Sequence, residues 1–167
     1  DEMLETWVHE LAHHATGHDS SFFFKEGIAT HTLEALFARQ GQVPQGFPQY
    51  GQSNDAWVEL FRRRGELPSL AQLLAMESYD IGSREGDFRS WQLYIVAASF
   101  SAWLIHSEGY AQFQQQFQQA ALGPHAAEWE RRWLADLRAR PFTEFSAADY
   151  LPTRPRYRYY ADRLKPG

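Results

Sequence analysis

The chain has 167 residues, of which 44% are hydrophobic and 16% aromatic, so it is long and apolar enough to fold around its own core. Its formal charge of −5 argues against a nucleic-acid binder, which usually carries a basic face. The absence of cysteine excludes disulfides, thiolate zinc ligands and a cysteine nucleophile. The longest apolar run, 94–105, is shorter than the roughly 20 residues that span a bilayer.

The N-terminal third of the chain predicts two helices followed by a loop. The first helix carries WVHELAHH (7–14) and is broken at Gly17. The second runs from about Phe22 to Arg39. Residues 41–54, rich in Gly, Pro and Gln, are predicted to form a loop.

Further helices are predicted downstream, most with a capping or breaking residue at one end, over 55–64, 69–76, 87–107, 110–122 and 125–140. Asn54 or Asp55 is expected to cap the first of these, and Ser69 the second.

The C-terminal part of the chain changes in character. Trp129, Trp133 and Leu137 recur at helical spacing and predict one apolar stripe. The tyrosine-rich residues 142–167 are predicted to form an irregular tail. Because no segment shows strong strand alternation, the sequence predicts a mainly α fold, with a helical domain over 1–141 followed by that tail.

The segment HELAH (9–13) has the pattern of a metal site. Successive helical residues are rotated by about 100°, so His9 and His13 share a face and both imidazoles can bind one ion. Glu10 lies beside that face, where it can reach a metal-bound water without being a ligand. Neutral imidazole suits zinc, and a catalytic zinc usually has three protein ligands and a water. The alternative is a chance match on an exposed helix.

The longer stretch HELAHHATGHD (9–19) contains three possible third ligands. Asp19 has the offset from His13 that a metzincin requires, but Thr16 stands where that pattern has glycine, and no downstream Met-turn is evident. His14 is rotated by about 100° from His13, which favours a position facing the solvent or in contact with a ligand rather than with the metal. Nothing in the pattern requires His18.

Glu26, on the second predicted helix, is the other possible third ligand. It follows three consecutive phenylalanines (22–24), which predict that this end of the helix is buried. An unpaired carboxylate would be costly there, and a metal would remove that cost. Gly27 is expected to let the two helices approach closely at the metal. The alternative is an ordinary surface glutamate of an amphipathic helix.

HELAH (9–13) followed by FFFKEGIAT (22–30) resembles the gluzincin metallopeptidases, specifically peptidase MA-like domains and, more distantly, the zinc aminopeptidases. Twelve residues lie between the second histidine and the glutamate, a shorter gap than in the aminopeptidases. The resemblance covers roughly 5–140, and the other segments that carry it are 67–74, 94–120 and 129–137.

The resemblance implies a zinc metallopeptidase. His9, His13 and Glu26 would bind Zn²⁺, and Glu10 would take the proton from the zinc-activated water that attacks the peptide carbonyl. Tyr94 matches a tyrosine that hydrogen-bonds the oxyanion in the aminopeptidases, although it could equally be a core or rim residue. The implied fold is a zincin-like helical subdomain, with two zinc-ligand helices followed by a C-terminal helical bundle.

One departure from the family concerns the substrate cleft. In gluzincins a β-sheet precedes the metal helix and aligns the substrate, yet only eight residues precede His9 here. The chain also begins at Asp1 rather than at a methionine. We therefore expect that an upstream domain or a partner chain supplies the sheet, or that the domain is a reduced form without it. This chain alone is expected to bind zinc but to cleave peptides poorly.

The sequence also allows other functions. A non-catalytic zinc-binding or interaction domain derived from a peptidase is the main alternative, and a hydrolase of another amide bond, such as cell-wall peptide, is a third. The expected partner is a peptide or protein substrate; the Arg/Tyr run at 154–160 is more typical of a C-terminal arm than of a nucleic-acid site. His31, His106 and His125 are expected to be ordinary histidines. The compartment stays open, with a periplasmic or secreted bacterial location favoured.

Overall fold

The computed structural model describes residues 2–16, 20–77 and 83–166. Within these ranges the structure is helical and contains no strand, which confirms the prediction of a mainly α fold. The α-helices are α1 (Glu2–Thr16), α2 (Phe22–Ala38), α3 (Asn54–Arg63), α4 (Leu70–Leu74), α5 (Arg84–Glu108), α6 (Tyr110–Gln119), α7 (Ala126–Ala139) and α8 (Pro155–Arg163). Short 3₁₀ helices lie at Gly123–His125 and Ala147–Asp149. Among the described helices, none is long and apolar enough to cross a membrane.

Serine side chains cap the N-termini of several helices. Ser69 caps α4 as predicted, in a capping box that Gln72 completes. The predicted cap of α3 is wrong: Ser53 accepts the hydrogen bond from the backbone N–H of Ala56, and Asn54 is already the first helical residue. Serine one position earlier satisfies the same orphan N–H, so the helix starts before the residues expected to cap it.

The central element of the fold is α5, which packs against α2, α3, α6, α7 and α8. Its aromatic side chains fill the core, where Trp91 stacks on Tyr160 of α8 with ring centroids 5.3 Å apart. The indole N–H of Trp91 donates to the carbonyl of Pro48 at 2.9 Å, so this buried ring carries no unsatisfied polar atom. The predicted stripe of Trp129, Trp133 and Leu137 is also buried, which confirms that prediction.

Close contact between α2 and α5 fixes the position of the second predicted ligand helix. A Cβ atom on Gly27 would lie 2.7 Å from the carbonyl oxygen of Ala97 and 2.8 Å from the hydroxyl of Ser101, both on α5. The expectation that Gly27 lets α2 approach α1 at the metal is therefore wrong: the glycine permits the approach of α5 instead. Glu26, its neighbour in the chain, is held on a helix seated against the core.

The C-terminal residues 142–167 are not simply an irregular tail. They contain α8, whose side chains Tyr157 and Tyr160, together with Leu164 just after it, are buried in the same core as α5. The prediction of an irregular tail is therefore wrong. The segment forms a helix because its buried residues recur three and four apart and because Pro155 is well suited to the first turn. The alternation of arginine and tyrosine concealed this spacing.

Candidate metal centre

Helices α1 and α2 bring together three of the residues predicted as ligands. Nε2 of His9 lies 3.1 Å from Oε2 of Glu26, and Nε2 of His13 lies 3.4 Å from the same oxygen. The two Nε2 atoms are 3.1 Å apart. Among the described residues these three form the one group of His, Asp or Glu side chains whose spacing could hold a metal ion.

The spacing of these atoms fits a tetrahedral zinc site. Zinc bonds of about 2.0–2.1 Å to nitrogen and oxygen at tetrahedral angles place neighbouring donor atoms about 3.3 Å apart. The three observed separations span 3.1 to 3.4 Å. Two imidazole nitrogens and one carboxylate oxygen are also the donor set of many catalytic zinc sites. Both the geometry and the chemistry of His9, His13 and Glu26 therefore fit zinc.

The cluster is shielded from solvent but not closed. The side chains of His9 and His13 are 14% and 17% exposed, and that of Glu26 is 9% exposed. Without a metal, the hydrogen bond to Glu26 raises the pKa of His13, burial lowers it, and the charges of Glu26 and Glu10 raise it further. Because a ligand imidazole must be neutral, metal and proton compete for this ring.

Glu10 and Tyr94 line the cavity that opens beside the cluster. This cavity has a volume of about 440 Å³ and is also lined by His9. Glu10 is exposed on α1. Tyr94 comes from α5, with its ring centroid 5.9 Å from that of His9 and 4.8 Å from that of Phe47. A carboxylate and a phenol therefore border the same space as the cluster.

The other predicted candidates lie elsewhere. His14 is exposed on α1, in agreement with its expected position. Gly17, His18 and Asp19 lie outside the described residues. His31 is partly buried on α2, where burial lowers its pKa, and His106 and His125 are exposed. None of the three belongs to the ligand cluster.

Sequence reasoning missed Glu5, which connects α1 to a loop. Its side chain is buried, and its carboxylate accepts hydrogen bonds from the backbone N–H groups of Gln45 at 3.1 Å and Gly46 at 2.8 Å. This loop carries Phe47, which lines the cavity. The signal was available in the sequence: Glu5 lies four residues before His9, hence on the same helical face.

Two arginines of the C-terminal segment, Arg154 and Arg156, also line this cavity. Nothing in the sequence pattern connects them with His9, His13 or Glu26, since more than a hundred residues separate them from that cluster. Comparison with protein-family models, with curated proteins and with solved structures finds no match.

Proposed function

We propose that this protein is a zinc-dependent metallopeptidase that hydrolyses peptide bonds, with His9, His13 and Glu26 as the metal ligands. The observation that carries the proposal is the tetrahedral spacing of three donor atoms beside a cavity that a further carboxylate, Glu10, also lines. A purely structural site would have no need of that carboxylate.

The proposed reaction assigns a step to each group at the cavity. The chemistry that zinc supplies in such a site is Lewis acidity, which lowers the pKa of a water molecule toward neutrality and polarises a carbonyl. Glu10 accepts a proton from the attacking water while the water oxygen forms a bond to the carbonyl carbon. The C–N bond then breaks, and Glu10 returns the proton to the leaving nitrogen. The phenol of Tyr94 donates a hydrogen bond to the oxygen that becomes negative.

Metal analysis and peptide cleavage together test this proposal. Wild type and Glu10→Gln should each hold about one zinc per chain, whereas His9→Ala and Glu26→Ala should lose it after dialysis. In a fluorogenic peptide library, Glu10→Gln should lower turnover by roughly 10²- to 10⁴-fold, the usual contribution of a general base. Full metal occupancy in Glu26→Ala would refute the ligand assignment. Equal turnover in wild type and Glu10→Gln would refute the peptidase.

A non-catalytic zinc-binding or interaction domain is the second candidate. It is favoured by the outer face of α1, where Leu4, Trp7 and Leu11 are 54%, 63% and 59% exposed. Exposed apolar surface of this kind is typical of surfaces that contact other proteins. In that case zinc would bind, no library peptide would be cut, and Glu10→Gln would behave as wild type in every assay.

A further inference from the structure

The cavity beside the ligand cluster of His9, His13 and Glu26 is lined by two positively charged residues. Arg154 and Arg156 line it together with His9 and Glu10. Arg156 also lines a second cavity of about 270 Å³. Both cavities share Phe47, Tyr94, Arg156 and Tyr157. Arg156 therefore lies where the two cavities adjoin.

Neither arginine is neutralised by a carboxylate of the described residues. Other arginines form ion pairs at 2.7 Å, such as Arg62 with Glu59 and Arg132 with Glu108. Arg154 and Arg156 form none within the part of the chain that the structure describes. The buried carboxylate of the first cavity, Glu5, is bound by backbone N–H groups instead.

The guanidinium of Arg156 is held in place by one aromatic neighbour, Tyr157. It lies 4.5 Å from the centroid of the Tyr157 ring and donates a hydrogen bond to the Tyr157 hydroxyl. That hydroxyl also accepts a hydrogen bond of 2.6 Å from Tyr50, so the tyrosine is itself fixed. A guanidinium has five N–H donors, and the hydrogen bond to Tyr157 uses one, so four remain with which Arg156 can bind a carboxylate. Because the guanidinium is already ordered, binding loses little side-chain entropy.

We propose that Arg154 and Arg156 bind a carboxylate of the substrate, so that the preferred substrates are peptides with a carboxylate close to the bond that is cut. The proposal rests on the proposed function for the position of that bond, but it concerns recognition alone. The carboxylate is either the C-terminus of the peptide or the side chain of an acidic residue.

Binding of three matched peptides tests the proposal and identifies the carboxylate. The probes are N-acetylated pentapeptides: one has a C-terminal amide and an internal glutamine, one differs only in a free C-terminus, and one differs only in an internal glutamate. Affinities are measured by calorimetry with Glu10→Gln protein as purified, so that cleavage does not interfere. One carboxylate peptide should bind at least about tenfold more tightly than the neutral peptide, as for a charge-assisted hydrogen bond.

Arginine variants in the same background assign that preference. Arg154→Gln and Arg156→Gln should each reduce it several-fold, whereas Arg156→Lys should retain part of it because the charge remains. Arg158→Gln is the matched control, since Arg158 is exposed on α8 and lines neither cavity. It makes the same charge change and should leave the preference intact. If the carboxylate bound only to a metal, all four variants would keep the wild-type preference for the carboxylate peptide.

The outcomes separate this proposal from the peptidase itself. Equal affinity for the three peptides, no binding of any at millimolar concentration, or a preference unchanged in both glutamine variants would overturn it. Arg154→Gln is the variant least able to disturb the fold, because Arg154 is exposed and forms no ion pair with a described residue. If no peptide is ever cleaved but the arginine-dependent preference persists, the carboxylate site stands and the peptidase does not.

Discussion

The helix that carries the two histidines and the helix at the centre of the core are held in opposite ways. Apolar side chains bury α5 along most of its length. Among the α1 residues whose burial the structure describes, 3–16, the buried ones are Glu5 and Ala12, and the largest apolar side chains face outward. Hydrogen bonds of Glu5 and the cluster around Glu26 hold the inner face of α1 instead. The core thus provides a rigid platform, while polar groups, and the metal they would bind, attach α1 to it.

The largest expected effect lies on the core side of this comparison. Phe100 is fully buried on α5, with ring contacts to Phe23, Trp103 and Trp133. Phe100→Ala should lower the free energy of unfolding by about 3–5 kcal/mol, because it leaves a cavity in a packed core. Urea denaturation followed by tryptophan fluorescence measures this loss.

Trp7→Ala is the contrasting variant on α1. The side chain of Trp7 is 63% exposed, so its removal should change the free energy of unfolding by less than about 0.5 kcal/mol. A loss as large as that of Phe100→Ala would mean that the outer face of α1 is packed in solution, and the contrast between the two helices would be wrong.

The same contrast explains what the sequence could predict. Helical spacing identified most of the helices, and it placed His9 and His13 on one face, because both are properties of a single segment. The role of Glu26 could be predicted because a carboxylate that follows three phenylalanines needs a partner.

Residues whose roles depend on tertiary contacts could not be assigned in this way. Spacing alone does not say which helix Gly27 faces, and it faces α5 rather than α1. Nor can local pattern show that Arg156 reaches a cavity lined by His9, because the path of the whole chain brings them together. Glu5 bonds a loop some forty residues away.

Removal of the proposed zinc should affect α1 and α5 differently. A ligand that binds only the folded state stabilises it by about 2.7 kcal/mol at a hundredfold excess over Kd. If the metal attaches α1 to α2, a chelator should increase hydrogen exchange of the α1 amides at least tenfold, because their protection depends on that attachment. Amides of α5 around Val96 should keep their protection, since they lie within the apolar core.

Mass spectrometry of peptides from α1 and α5 measures this exchange with and without chelator. Glu26→Gln protein is the control, because its α1 should exchange rapidly in both conditions. Uniform loss of protection in both helices would show that the metal stabilises the whole fold and that α1 is no weaker than the core.

The last expected effect, smaller than that of Phe100→Ala, concerns Glu5, the other attachment of α1. Glu5→Gln keeps the size of the side chain but removes the charge that strengthens its bonds to the backbone N–H groups of Gln45 and Gly46. We expect a loss of about 1–2 kcal/mol in the free energy of unfolding. Glu5→Ala should cost more, since it leaves the buried N–H of Gly46 without an acceptor. Because the loop carries Phe47 at the cavity, both variants should also weaken binding of the peptides while zinc content stays at the wild-type level. Loss of zinc in Glu5→Gln would instead mean that Glu5 positions His9. The loop and the ligand cluster would then hold α1 as one unit, not as two separate attachments.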